Sequence, residues 1–262
     1  MCPEYILAQE WRQRKLYVGS PSALADGDSG GKGHSACQDL LSHGELKTKL
    51  VGTIGVTGGS SYEMWAAMVN SDGVVRSVAT TGDDNSDQWL DSRVISVQKA
   101  NAANAFSLND RSGGISGLAL SPANLYSAVQ PGESLFGLQH NYPVDTRLAY
   151  QGKASRYGDS KDPMVGSKIG GVNVFGGGLG LYNSEGELVG AVGVSEDTSC
   201  EDHNVAWRTR DPLGLDFVPA GLSITRDDSI IFDISDAGHG NPGGASGFGH
   251  PVCLYVSTDL PK

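Results

Sequence analysis

The chain has 262 residues, a formal net charge of −11, 37 glycines and only six phenylalanines. That length can bury a real core, as one large domain or two small ones. With no cluster of lysine and arginine, the negative balance excludes a surface built to neutralise phosphates of nucleic acid or of an anionic membrane, and leaves a small molecule or another copy of the chain as the expected partner. No apolar run has the length of a membrane-spanning helix, so membrane insertion is not expected, and the opening MCPEYILAQEW lacks the basic and apolar regions of a secretory signal. Cysteines stand at 2, 37, 200 and 253. This even set suits disulfides in an oxidising compartment, so the expected home is periplasmic or secreted, any leader lying outside this sequence. Four cysteines allow three pairings. Cys2–Cys37 with Cys200–Cys253 is preferred because each bond would tie down a terminal segment, with four free thiols as the alternative.

Residues 1–44 read as an N-terminal extension: a short amphipathic piece from Glu4 to Tyr17, then a stretch rich in Gly, Ser and Asp that offers almost nothing to bury. From Ser42 the pattern changes. Ser42 and Glu45 are spaced as a capping box, and Leu46, Leu50 and Ile54 share a helical face. Tyr62–Val69 and Val74–Ala79, joined by Asn70-Ser71-Asp72-Gly73, read as a hairpin whose glycine supplies the positive-φ position. The device recurs as Leu179–Tyr182 and Leu188–Val194 around Asn183-Ser184-Glu185-Gly186. An acidic loop and then a helix follow each hairpin, which predicts an α+β fold with one antiparallel sheet built from two hairpin–helix units.

The first of those helices is predicted over Ser92–Ser107, with Ile95, Ala102 and Phe106 on one face and Val94 and Val97 elsewhere. Lys99 falls on the apolar face. Either its stem packs while the ammonium reaches outward, or the cation is aimed inward to meet a carboxylate, with Arg93 near the helix start as a second cation. A long insert, 109–168, separates the units. In it Ser121 can cap a short helix with Pro122 at the first position, and the rest reads as loops around a core. The second helix starts near Thr198, where Thr198 and Glu201 are spaced as another capping box. Beyond Pro212 a C-terminal extension, 211–262, holds one expected strand at Ser229–Ile234. The densest stretch is Gly166–Trp207, whose glycines at 170, 171, 176, 177 and 178 predict either a binding wall or a tight structural corner.

These residues resemble the haem-binding GlcG/HbpS family. The resemblance rests on Asp72-Gly73, on Ser92–Phe106 with Lys99-Ala100 at its centre, on Gly170-Gly171-Val172-Asn173, and on Gly190–Ser195 followed by Asp202 and Ala206. It covers about residues 45–210 with the insert stretched, in a long variant carrying GGVNVFGGGL and the SCxDHNxAW helix. It implies an antiparallel sheet flanked by helices, self-association into homo-oligomers, and binding or slow breakdown of haem in some members.

Haem needs an apolar slot, cations for two propionates and an axial donor. His140, His203, His239 and His250 are the candidate donors, with Tyr62, Met164 and Tyr182 behind them. His203, one turn before Trp207, is the first choice for the iron. Arg93 and Lys99 suit the propionates, and Gly170, Gly171 and Asn173 would line the pocket. Two other chemistries stay open. Cys200-x-x-His203 and His250-x-x-Cys253 have metal-ligand spacing, but both cysteines serve a disulfide equally well, which makes zinc the less favoured reading. A cofactor-independent enzyme acting on a small oxygenated, carboxylate-bearing substrate could draw on Gln88, Arg93, Lys99, Asn173, Asp202 and His203, with Lys99, Asp202 and His203 as its catalytic candidates. A non-catalytic sensor or carrier is the third class.

Overall fold

Two hairpins decide the architecture. In the computed structural model, which describes residues 42–54, 62–109, 117–234 and 246–253, β1 (Trp65–Asn70) and β2 (Val75–Thr80) pair antiparallel through the Asn70–Gly73 turn. Strands β3 (Gly178–Tyr182) and β4 (Leu188–Ser195) do the same. The hairpins join where β1 pairs antiparallel with β4, from Trp65 opposite Ser195 to Asn70 opposite Gly190, giving one sheet in the order β2-β1-β4-β3. The expected α+β class and antiparallel sheet are therefore what forms. The first strand begins later than expected, at Trp65.

Helices cover both faces of this sheet, which is why every residue of β1 is buried. On one face lies α2 (Leu90–Phe106). Its Val94, Val97, Ala100 and Ala103 pack against Trp65, Ala67, Val69 and Ala191. The face expected from periodicity, Ile95, Ala102 and Phe106, is not the one that meets the sheet. Ala102 and Phe106 instead pack sideways with Leu120, Leu125 and Val174. Small side chains win the sheet face because the strand beneath is built of glycine: a Cβ on Gly193 would stand 1.9 Å from the Ser96 carbonyl oxygen, so only glycine lets the helix come this close.

On the other face, Leu46 and Leu50 of α1 (His43–Val51) and Val205 and Ala206 of α5 (Ser199–Arg210) pack with Met64, Ala66, Met68, Leu179, Leu181, Val192 and Val194. Helix α1 starts with the expected capping box: Glu45 N–H donates to Ser42 Oγ at 3.4 Å and Ser42 N–H to Glu45 Oε2 at 2.8 Å. Helix α5 has only half of one. Glu201 N–H donates to Thr198 Oγ1 at 3.3 Å, but Thr198 N–H donates to Asp197 Oδ1 at 2.5 Å.

The insert folds into short helical pieces, including α3 (Leu138–Asn141), α4 (Thr146–Ala149) and a 3-10 turn at Pro122–Leu125 capped by Ser121 as expected. Among the described C-terminal residues, Ser229–Ile234 does not form the expected strand. Asn124 takes its backbone instead, donating from Nδ2 to Ser229 O at 3.0 Å and accepting from Ile231 N–H at 2.9 Å. The predicted Cys200–Cys253 disulfide is formed, with a Cα–Cα distance of 6.0 Å. Cys2 and Cys37, with most of the N-terminal extension, lie outside the described residues.

Candidate functional site

The glycine stretch resolves as a structural corner. A Cβ on Gly176 would stand 2.1 Å from Ser199 O, one on Gly177 2.3 Å from Val194 O, and one on Gly178 2.4 Å from Lys99 O. These three glycines are wedged between α2, β4 and the start of α5, so the distant helix and the loop do meet. Gly177 also has a φ of 103°, a conformation that only glycine adopts cheaply. Farther along, Gly170 and Gly171 lie over α2: Asn101 Nδ2 donates to Gly170 O at 2.8 Å, and a Cβ on Gly171 would meet Val144 at 2.4 Å and the Gln98 side chain at 3.0 Å. Asn173 turns back on its own loop and accepts from Phe175 N–H at 3.0 Å.

Arg93 and Lys99 do not converge. Six residues advance a helix by about 600°, roughly two-thirds of a turn past the starting direction, so the two side chains leave α2 on different sides. Arg93 has no exposed surface. Its guanidinium forms a two-pronged ion pair with Asp162 (Nε–Oδ2 2.7 Å), donates to Ala149 O at 2.8 Å and stacks 3.8 Å from the Tyr157 ring centroid. Asp162 is completed by the amides of Gly158 and Met164, each at 2.8 Å. Among the described residues Arg93 thus meets a carboxylate of the insert, and the pair holds the insert on α2.

Lys99 takes the inward of its two readings, but its carboxylate belongs to the protein. Nζ lies 2.5 Å from Asp202 Oδ2 and 3.1 Å from Val194 O, and both side chains are 2% exposed. Asp202 Oδ1 accepts from Asp197 N–H at 2.9 Å. Burial pushes the Asp202 carboxyl up to about 6, against the pull of the Lys99 ammonium. The pair links α2 to α5 beside the glycine corner, and burial holds its carboxyl well above the ordinary carboxylate range.

His203, one position on, is fully buried. Its Nδ1 is 3.3 Å from Ser121 Oγ, its ring centroid 6.1 Å from that of Trp207, and its Nε2 has no hydrogen-bond partner among the described residues. Desolvation, helped by the Arg210 charge, lowers its pKa to about 3, so the ring is neutral at physiological pH. A buried, neutral imidazole with one unused nitrogen is the state that ligates a metal. It is also a costly way to leave a polar atom.

The remaining candidates scatter. Gln88 accepts from Thr80 Oγ1 at 2.8 Å, away from the corner. Met164 is core, Tyr182 is buried with its hydroxyl on Leu118 O at 3.2 Å, and Tyr62 and His140 are exposed. His239 lies outside the described residues. His250 does reach the corner, with Nε2 2.8 Å from Ser199 Oγ. Ser199, Asp162 and Asp228 were not foreseen, and Ser121 was expected as a cap but not as a neighbour of His203. These contacts carry no periodic or spacing signal, because each joins segments far apart in sequence. Asp228, for example, forms a buried two-pronged pair with Arg210 at 2.6 and 2.8 Å.

The arrangement can be set beside known proteins. No curated protein matches the chain. Among solved structures, protein ORFY of Klebsiella pneumoniae, from the DUF336 family model, is 20% identical over 67% of this chain and 93% of its own, with a TM-score of 0.43. The PduOC:haem complex is 19% identical over 64% of this chain and 88% of its own, with a TM-score of 0.42. The family model described as haem degrading protein HbpS-like matches residues 62–210, from the approach to β1 through the end of α5. That span takes in the whole sheet, α2, the insert and the glycine corner, and on it the chain belongs to the HbpS-like family.

Proposed function

We propose that this chain binds haem, or a flat anionic molecule like it, and offers the unused Nε2 of His203 to the iron. Family membership supports the ligand class. The observation that carries the residue is the orphaned nitrogen of a neutral, buried ring. Haem supplies an electron-accepting iron when bound, and it also needs cations for its propionates. Here the fit is partial: the donor suits iron, but Arg93 and Lys99 are spent on Asp162 and Asp202 and make no propionate clamp. The ring is covered by Ser121, the glycine corner and Trp207, so a ligand reaches Nε2 only by displacing part of this cover.

Hemin titration tests the reading. The protein should give a shifted Soret band that develops slowly, and His203→Ala should weaken it at least about tenfold, the cost of about 1.4 kcal/mol or more of lost coordination. A featureless titration at micromolar hemin, or a band untouched by the substitution, refutes it.

The Lys99–Asp202 pair favours a second reading, a cofactor-independent enzyme on a small carboxylate-bearing substrate, because a carboxyl near 6 can exchange a proton at neutral pH. It predicts a colourless protein whose activity disappears in Asp202→Asn. A periplasmic or secreted home is part of the proposal, supported by the Cys200–Cys253 bond. So is self-association, and light scattering would read it.

A further inference from the structure

We propose that Cys200, Cys253 and His250 form a binding site for a thiophilic divalent ion of the zinc class, open only when the Cys200–Cys253 disulfide is reduced. The two sulfurs and one imidazole nitrogen all lie within 4.8 Å of one another. Ligands bound to a tetrahedral ion at about 2.0–2.3 Å stand roughly 3.5–4 Å apart, so the three atoms need only small adjustments once the sulfurs part. Cys200 and His250 are 1% and 2% exposed, and Cys253 is half-buried, which leaves an entry from one side.

The imidazole is already set for coordination. His250 Nδ1 lies 2.6 Å from the Pro251 carbonyl oxygen, which can only accept, so Nδ1 carries the proton and Nε2 keeps its lone pair. Metal-ligating histidines are oriented in this way, with the other ring nitrogen held by a carbonyl or carboxylate. In the disulfide form the Ser199 hydroxyl, 2.8 Å away, uses that lone pair. The ring does not depend on the disulfide for its place: His250 N–H donates to Ile231 O at 2.8 Å, Ser127 Oγ donates to the Gly249 carbonyl at 2.9 Å, and the Tyr126 ring packs against it at a tilt of 59°, centroids 5.3 Å apart.

The sequence pattern suggested four ligands, two Cys-x-x-His pairs read in opposite directions. The fold keeps three. His203 is turned to Ser121 and is no member of the group. Three protein ligands leave a fourth position for water, as in open zinc sites. Disulfide and ion are thus alternative closures of one strap, which pins a segment beyond the HbpS-like match to the first turn of α5.

The chemistry balances with a phosphine as reductant: disulfide, phosphine and water give two thiols and a phosphine oxide. The ion then displaces both thiol protons, so two protons leave for each ion bound.

The test uses the full chain carrying Cys2→Ser and Cys37→Ser, so that two thiols remain, reduced with a phosphine under argon and titrated with Co(II). Thiolate-to-cobalt charge transfer and the visible bands of a tetrahedral site should appear at one equivalent. Zn(II) should bleach them, and the oxidised protein should show none. His250→Ala should weaken Co(II) binding tenfold or more, a scale that loss of even an outer partner reaches, and His203→Ala should leave it unchanged. Absence of the bands overturns the proposal, as do bands indifferent to His250→Ala. Equal sensitivity to both histidines also overturns it, since that marks a chain that unfolds on reduction and gathers the ion non-specifically. Hemin plays no part, so the haem reading stands or falls separately.

Discussion

Replacing Lys99 by methionine keeps most of the stem and removes the ammonium from a pair that is 2% exposed on both sides. Two charge-assisted hydrogen bonds disappear, to Asp202 and to Val194 O, with a net loss of about 1.5–3 kcal/mol. A second loss depends on pH. Because burial raises the folded pKa of Asp202 above 3.8, the folded chain holds that proton more tightly than the unfolded chain does. The resulting contribution is full below 3.8 and lost as pH climbs through about 6. Without the Lys99 ammonium, which pulls the Asp202 carboxyl down, burial holds its proton to still higher pH, and this adds about 1 kcal/mol at pH 7. The variant should therefore lose about 3–4 kcal/mol at pH 7, in the range for breaking a buried pair, and only about 2 kcal/mol at pH 4.5. Urea unfolding followed by tryptophan fluorescence at both pH values measures this. Equal losses at the two pH values, or a loss below about 1 kcal/mol at pH 7, would falsify the account of Asp202.

Acid should act through His203. Its pKa is depressed from 6.5 to about 3, so the stability it contributes is present above 6.5 and lost as pH falls toward 3. His203→Phe, which cannot take the proton, should escape about 3 kcal/mol of that loss by pH 4, seen as a flatter plot of urea midpoint against pH. Gly193→Ala should cost about 3 kcal/mol, because its Cβ would meet Ser96 O at 1.9 Å and Ala100 N at 2.7 Å and push α2 off the sheet. Gly44→Ala, in α1 with nothing within 4 Å, should stabilise by about 0.5–1 kcal/mol in the same assay. A neutral Gly193→Ala would mean that α2 does not rest on β4 as described.

The hairpins, both main helices, the Ser42 capping box, the Ser121 cap and the Cys200–Cys253 bond were all legible because each is written in neighbouring residues or in a count of cysteines. Spacing within α2 placed Lys99 and Arg93 on a helix but could not say what they face. Asp162 and Asp228 lie in segments with no periodicity, and Asp202 comes to Lys99 only when α5 packs beside β4.

Turn chemistry and strand alternation act over a few residues, so the order of elements, the antiparallel pairing within each hairpin and the family could be read along the chain. The role of the charges and glycines came from packing. A buried cation must find its carboxylate wherever the chain brings one, and a glycine's worth depends on which backbone lies across from it. The residues that looked like a ligand's clamp became the fold's own buried ion pairs, and one imidazole nitrogen of His203 was left without a partner among the described residues.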